Sequence, residues 1–244
     1  MHWSKVLLII LLSILVGAFG GFVYWSISDL PEVKTLEGYT PFESSFVYSS
    51  DGKVLAELYI ERRNFIPYYN IPDRIKKAVI AIEDHRFYSH PGMDIIGILR
   101  AFYKNIMAQD IVEGGSTITQ QLTKMLFLKP EKSLARKIRE AIISVQIEKR
   151  YTKDEIIGMY LNQAYFGTRA YGIEAAAQTY FGKSANELSI AESALLAGLP
   201  KAPTMYSPFR NPEKSLMSRQ VVLKKMLENK FISKEEYERA NAEP

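Results

Sequence analysis

The pattern of apolar and polar positions changes period twice along this chain. From Val6 to Ile27 nearly every residue is apolar, and no charge intervenes before Asp29. That run is as long as the ~20 residues a helix needs to cross a bilayer core. Lys5 precedes it, and Tyr24 and Trp25 stand where an interfacial aromatic belt falls. The pattern therefore predicts a single membrane span with the N-terminus on the cytoplasmic side. The run exceeds a usual signal-peptide core and no small-x-small site closes it, which argues against a cleaved leader. Asp29 to Phe42, with Pro31, Gly38 and Pro41, reads as a linker. Ser45 to Ile60 alternates apolar and polar residues around Ser50-Asp51-Gly52-Lys53, the pattern of a β-hairpin.

Beyond Pro72 the period becomes helical. Asp73 is expected to cap a helix that turns Ile75, Val79 and Ile82 inward and ends near Glu83. Asp94 begins another, with Ile95, Ile98, Leu99, Phe102 and Ile106 at helical spacing. Capping boxes recur at Thr117/Gln120, Thr152/Glu155, Ser184/Glu187, Ser189/Glu192 and Ser233/Glu236. Helix stops stand at Lys129-Pro130 and Gly198-Leu199-Pro200. The expected fold class is mainly α with a small β-hairpin. Residues 1–28 form a cytoplasmic stub and transmembrane anchor, 29–44 the linker and 45–244 one globular domain. Leu99, Phe102, Tyr103, Ile106, Met107 and Ile111 form an apolar stripe. Such a stripe ordinarily means core; beside a membrane anchor, contact with the bilayer is the competing reading.

Composition narrows the chemistry. The 244 residues carry a net charge of +4 with a pI near 9.0. That excess suits an anionic lipid or a pyrophosphate, and without aromatic–basic interleaving it gives no case for nucleic acid. The absence of cysteine removes disulfides, thiol catalysis and cysteine-ligated metals, and suits an extracytoplasmic domain. His85 and His90 are five apart and do not share a helical face, so zinc is not expected and His90 reads as a structural hydrogen-bonder.

Glu83 ends an apolar helical run, where lost hydration of the charged form should raise its pKa toward the range of a general base. Asp84 beside it is either an orienting group or a solvated helix-end acid. Gly114-Gly115-Ser116-Thr117 opening a capped helix reads as an anion-binding N-terminus or as a flexible loop. Gln121 and Lys124 lie one helical turn apart. Lys132, Arg136, Lys137 and Arg139 concentrate positive charge before Glu140. Cations there suit an anionic leaving group; Arg136 and Glu140 at i,i+4 are also a common surface pair.

Three motifs in order carry a resemblance. Glu83-Asp84-x-x-Phe87-x-x-His90-x-Gly92, Gly114-x-Ser116-Thr117-Ile118-x-Gln120-Gln121 and Arg136-Lys137-x-x-Glu140 resemble those of the peptidoglycan glycosyltransferase family, the class A penicillin-binding proteins and their monofunctional relatives. Tyr160-Leu161-Asn162 resembles a fourth, anchored by Lys153 and Ile156. The resemblance runs from about Val47 to the C-terminus and implies a two-lobed, lysozyme-like helical domain. It implies polymerisation of lipid II, the lipid-linked disaccharide-pentapeptide, into β-1,4-linked glycan strands. Undecaprenyl pyrophosphate leaves and the anomeric centre inverts. Glu83 is then the general base and Glu140 the second essential carboxylate. Lys124, Lys132 and Arg139 carry over as phosphate contacts. Asp84, Ser116, Thr117, Gln121, Arg136, Lys137 and Asn162 complete the expected substrate and pyrophosphate site.

The resemblance also implies Mg²⁺ or Mn²⁺ bridging pyrophosphate and a carboxylate, with no organic cofactor. Implied partners are lipid II, the growing glycan strand, the bilayer and other cell-wall synthesis proteins, at the inner membrane with the catalytic domain outside. Two departures stand out: Gly158, where the family usually has Glu, and Met125, where it usually has Asn. They motivate one alternative, a membrane-tethered scaffold with a degenerate site. A lysozyme-like hydrolase, which also uses two carboxylates, is the other. No Lys-Thr-Gly box occurs, so a transpeptidase domain is not expected within the chain.

Overall fold

The computed structural model describes residues 2–27, 30, 45–52, 54–58, 62–110, 114–129, 131 and 133–244. The predicted linker (apart from Leu30), Ile111 and Lys132 lie outside these residues. Helix α1 (His2–Ile27) is continuous, and its window Trp3–Phe22 has mean hydropathy 2.4 with none of it buried against protein. It is the one helix among the described residues long and apolar enough to cross a membrane. The hairpin forms where the alternation placed it. Strand β1 (Ser45–Tyr48) pairs antiparallel with β2 (Val54–Leu58), and the turn closes through Gly52 N donating to Ser49 O at 3.0 Å.

The core assembles around α2 (Asp73–Glu83), α8 (Ile190–Gly198) and α9 (Pro212–Glu228), which pack on one another. A second group, α4 (Ile118–Phe127) against α5 (Leu134–Arg150) and α6 (Lys153–Gln163), shares the same apolar interior. Helix α7 (Ile173–Phe181) joins the groups and α10 (Lys234–Ala242) seals α9. All five expected capping boxes form with both reciprocal bonds. The one at Ser184 caps only a 3-10 turn, Ala185–Glu187. At α2 the expected cap is displaced: Pro72 is the capping residue, and Asp73 enters the first turn. There its charge favours the helix dipole while its carboxylate pairs with Lys76 at 3.5 Å.

Two features differ from the pattern reading. Helix α3 (Ile95–Ala108) buries only Gly97 and Ala101, while Leu99, Phe102, Tyr103, Ile106 and Met107 are each more than half exposed. The stripe is not core; it is an outward apolar face, of the contiguous kind that marks an interaction surface. The second is a three-stranded sheet, β3 (Arg62–Arg63), β4 (Tyr165–Gly167) and β5 (Ala170–Tyr171), in the order β3-β5-β4. Strands of two or three residues show no measurable period, so pattern reading continues the helices through them. The Thr168–Arg169 turn between β4 and β5 has φ of 50° and 60°, the sign pattern of a type I′ turn without glycine.

Candidate active site

Helix α2 buries Ile75, Ala78, Val79, Ile80 and Ala81, and this packing delivers its last residue, Glu83, to the wall of a cleft of about 410 Å³. The cleft is bounded by Ile82 to His85, the first turns of α3 (Asp94, Gly97, Arg100, Lys104), Gly114 to Thr117, Lys201, and α9 through Val221, Lys225, Glu228 and Asn229. Glu83 Oε2 accepts a hydrogen bond from Gln121 Nε2 at 2.6 Å. Gln121 Oε1 in turn accepts one from the buried Tyr160 hydroxyl at 3.4 Å. Burial pushes the Glu83 carboxyl above its ordinary value, against the Gln121 hydrogen bond and the Lys201 and Lys124 charges, with Asp84 adding repulsion. Its place at the negative end of α2 acts in the same direction as burial. Tyr160 is pushed far up by burial and by Glu83, so its phenol stays a donor. Glu83 thus has protein on most sides, one neutral donor and an opening to the cleft. That is the environment of a proton acceptor.

Asp84, by contrast, faces inward. His90 Nε2 lies 3.0 Å from both its oxygens, and its Oδ2 accepts from Ile118 N at 3.1 Å. It therefore closes the N-terminus of α4. Thr117 N donates to Gln120 Oε1 at 3.0 Å, Gln120 N to Thr117 Oγ1 at 3.1 Å, and the Thr117 hydroxyl to Gly92 O at 2.6 Å. At this helix start, read as an anion cradle or a loop, the amides of Thr117, Ile118 and Gln120 have side-chain acceptors, one of them a carboxylate. Asp84 and Thr117 position the elements, and Gly114, Gly115 and Ser116 are left as the loop along the cleft.

The same junction is locked from behind. Gly92 has φ +95°, and a Cβ there would lie 2.8 Å from Ser144 O of α5. Lys153 Nζ donates to His90 O and to Glu148, each at 2.7 Å, and the Thr119 hydroxyl donates to Glu148 at 2.5 Å.

Glu140 is 2% exposed and held by two cations. Arg136 Nη1 donates to its Oε2 at 2.7 Å, and Lys137 Nζ donates to its Oε1. Lys137 also donates to Ser116 Oγ at 2.9 Å, tying this cluster to the edge of the Glu83 cleft. The Arg136–Glu140 pair is therefore buried on its acidic side, unlike a solvated surface pair. Arg139 is not part of it: its guanidinium sits 5.8 Å from the Trp25 ring of α1. Lys124 is exposed and acts on Glu83 by its charge. Asn162 lies outside the residues that line the cleft. Its amide clamps Ile66, donating to its O at 2.8 Å and accepting from its N at 3.0 Å, and donates to Gly158 O at 2.9 Å. Gly158 itself is buried, and a Cβ there would overlap the Cβ of Tyr68. The departure from the family residue is thus a packing contact away from the cleft, and Met125 packs against the core.

Sequence reading missed the opposite wall. Lys201 directly follows the helix stop at Gly198-Leu199-Pro200, yet it lines the cleft and is the foremost charge acting on Glu83. A lysine within the otherwise apolar run from Leu195 to Pro203 was the available signal. Arg100 and Lys104 are the cations of a helix whose sequence pattern is otherwise dominated by its apolar face. Among the described residues no group of three or more His, Cys, Asp or Glu is arranged to hold a metal ion. The oxygens of Glu140 and Asp84 are taken by protein donors.

Comparison with known proteins gives the family. The transglycosylase family model matches residues 51–227, which contain every cleft residue except Glu228 and Asn229. Penicillin-binding protein 1A of Aquifex aeolicus is 46% identical over 98% of this chain and 34% of its own length. That of Vibrio cholerae is 43% identical over 99% of this chain and 30% of its own. A crystal structure of penicillin-binding protein 1A from Haemophilus influenzae covers 84% of this chain and 21% of that one at 30% identity, with a TM-score of 0.49. The chain spans about a third of the length of these curated relatives. With the matched segment holding both buried carboxylates and the loop between them, the chain belongs to the transglycosylase family.

Proposed function

We propose that this chain is a peptidoglycan glycosyltransferase that joins lipid II to a growing glycan strand, with Glu83 as general base. The observation that carries it is a carboxylate with a raised pKa facing a cleft whose other walls bear Arg100, Lys104 and Lys201. Glu83 takes the proton of the acceptor 4-hydroxyl as that oxygen attacks the anomeric carbon of the strand. The bond to pyrophosphate breaks on the opposite face, so an α link becomes a β link. The leaving group carries most of the developing charge, and Lys124, Lys132, Arg136 and Lys137 are the cations assigned to it. Glu140 holds Arg136 and Lys137 in place, and Lys137 carries that placement to Ser116. Arg139 has its contact at Trp25 and belongs to the junction with the anchor. A divalent ion, Mg²⁺ or Mn²⁺, would enter with the pyrophosphate rather than reside on these carboxylates, and no step above depends on one.

The hydrolase alternative needs two carboxylates but has no use for cations around the base. The degenerate-scaffold alternative loses its motive at Gly158, where packing against Tyr68 accounts for the glycine. In the proposed setting α1 anchors the domain outside the inner membrane. The outward apolar face of α3 meets the bilayer, and Arg100 and Lys104 of that helix reach the cleft. Lipid-linked substrate then enters from the membrane side. Other cell-wall synthesis proteins are the further partners proposed.

The test is incubation of the detergent-solubilised chain with labelled lipid II beside Glu83→Gln, with products resolved by size. Polymer from the parent and none from the variant is expected. Polymer from both would remove Glu83 as base, and none from the parent would overturn the assignment.

A further inference from the structure

A second cleft, of about 400 Å³, opens beside the Thr168–Arg169 turn and is lined by Tyr165, Arg169, Pro203, Ser207, Phe209 and Arg210 among others. None of its lining residues lines the Glu83 cleft. Three observations set it apart from an ordinary surface hollow. Arg169 and Arg210 both border it, and neither guanidinium has a carboxylate or hydrogen-bond partner among the described residues. Phe209 is 63% exposed and Tyr165 40% exposed, though both rings are held in place. Phe209 stacks on Tyr180 at 5.2 Å and 18°, and Tyr165 lies 4.7 Å from Tyr171.

The third observation is the turn itself. Thr168 and Arg169 both have positive φ, a conformation that Asn-Gly adopts at ease and a β-branched residue resists. The Tyr180 hydroxyl, which donates to Phe166 O at 2.9 Å, meets the Thr168 hydroxyl at 3.1 Å and helps hold this geometry. Backbone strain kept beside a cleft, where an easier sequence exists, is a pointer to use.

We propose that this cleft binds a carboxylate-bearing saccharide, namely the disaccharide-peptide part of glycan strand already made; this rests on the transferase reading given above. Planar guanidinium groups read carboxylates by paired hydrogen bonds, and open aromatic faces suit the C–H faces of sugar rings. The segment from Lys201 to Arg210 joins the two clefts, since Lys201 lines the first and Pro203 to Arg210 the second. A strand several sugars long would then lie in both, and release between additions would be slowed.

The probe is a soluble disaccharide-pentapeptide carrying a photoreactive diazirine, used on the full chain in detergent with labelled peptides mapped. Label is expected on 165–171 or 203–210, falling at least tenfold in R169A/R210A. Thr168→Asn with Arg169→Gly is the second variant, because it relaxes the turn: its melting temperature should equal or exceed the parent's while the label is still lost. The same probe with its carboxylates amidated should fail to compete. Label confined to the Glu83 cleft, equal competition by the amidated probe, or full labelling of both variants would each overturn the proposal. With labelled lipid II, both variants should give shorter strands than the parent. Unchanged strand length would overturn the processive role. Absence of polymer from the parent would instead strike the transferase reading, so the two failures are read separately.

Discussion

Two carboxylates less than sixty residues apart in this chain are set in protein by opposite means. Glu83 meets a neutral amide, and the cations near it act through their charge without an ion-pair contact among the described residues, so burial dominates and the acid sits above its ordinary range. Glu140 is more completely enclosed, yet both oxygens are met by cations of its own helix. Burial alone therefore does not make a base. A buried acid becomes one when its donor is neutral and it keeps an opening to solvent or substrate; paired with cations, it becomes a brace. The difference supports the roles proposed for them, proton transfer for Glu83 and alignment of cations for Glu140.

The sharpest way to break this contrast is Glu83→Gln, which should lower turnover of lipid II by about 10³-fold, within the usual range for a general base. The same change should not destabilise the fold. The folded-state pKa of Glu83 is raised, so folded protein keeps a proton that unfolded chain releases above about pH 4.5. Stability therefore falls as pH climbs from there through the raised value. Glutamine, neutral throughout, escapes that loss. Thermal melts of parent and variant should coincide near pH 4 and separate in favour of the variant at pH 7.5; the reverse order would refute the assigned environment.

Glu140→Gln should behave in the opposite manner. It leaves Arg136 and Lys137 facing each other without their counter-charge and should cost about 2 kcal/mol in urea unfolding. That is less than the ~3–5 kcal/mol of a fully buried pair, because Lys137 reaches solvent. A melt identical to the parent's would show that the brace is not needed. Gln121→Ala sharpens the other half. Its hydrogen bond lowers the Glu83 pKa, so the acidic limb of the kcat/KM profile should move to higher pH, with activity lost on the acidic side and recovered as the pH is raised. The smallest effect is expected from Tyr160→Phe. The 3.4 Å bond to Gln121 is worth at most ~0.5–1.5 kcal/mol, so the limb should move in the same direction by less. A shift toward lower pH in either variant would contradict the relay.

Much of this protein is written locally in its sequence. The apolar N-terminal helix needs only its own run of residues, and a capping box is closed by side chains three residues apart. The hairpin follows from alternation and a turn, and the apolar run of α2 that leads to Glu83 is visible along the chain. What reading along the chain could not supply depends on groups distant in sequence. Asp84 closes a helix that begins thirty-four residues later, Asn162 clamps a segment ninety-six residues earlier, and Lys201 faces Glu83 across the cleft. The apolar face of α3 carries a core-like pattern, and only the tertiary structure decided that it points outward. Periodicity, caps and burial of neighbours are short-range properties that the chain specifies by itself. Which donor meets which carboxylate, and which apolar face stays uncovered, is settled by packing, because those contacts exist only once distant elements have met.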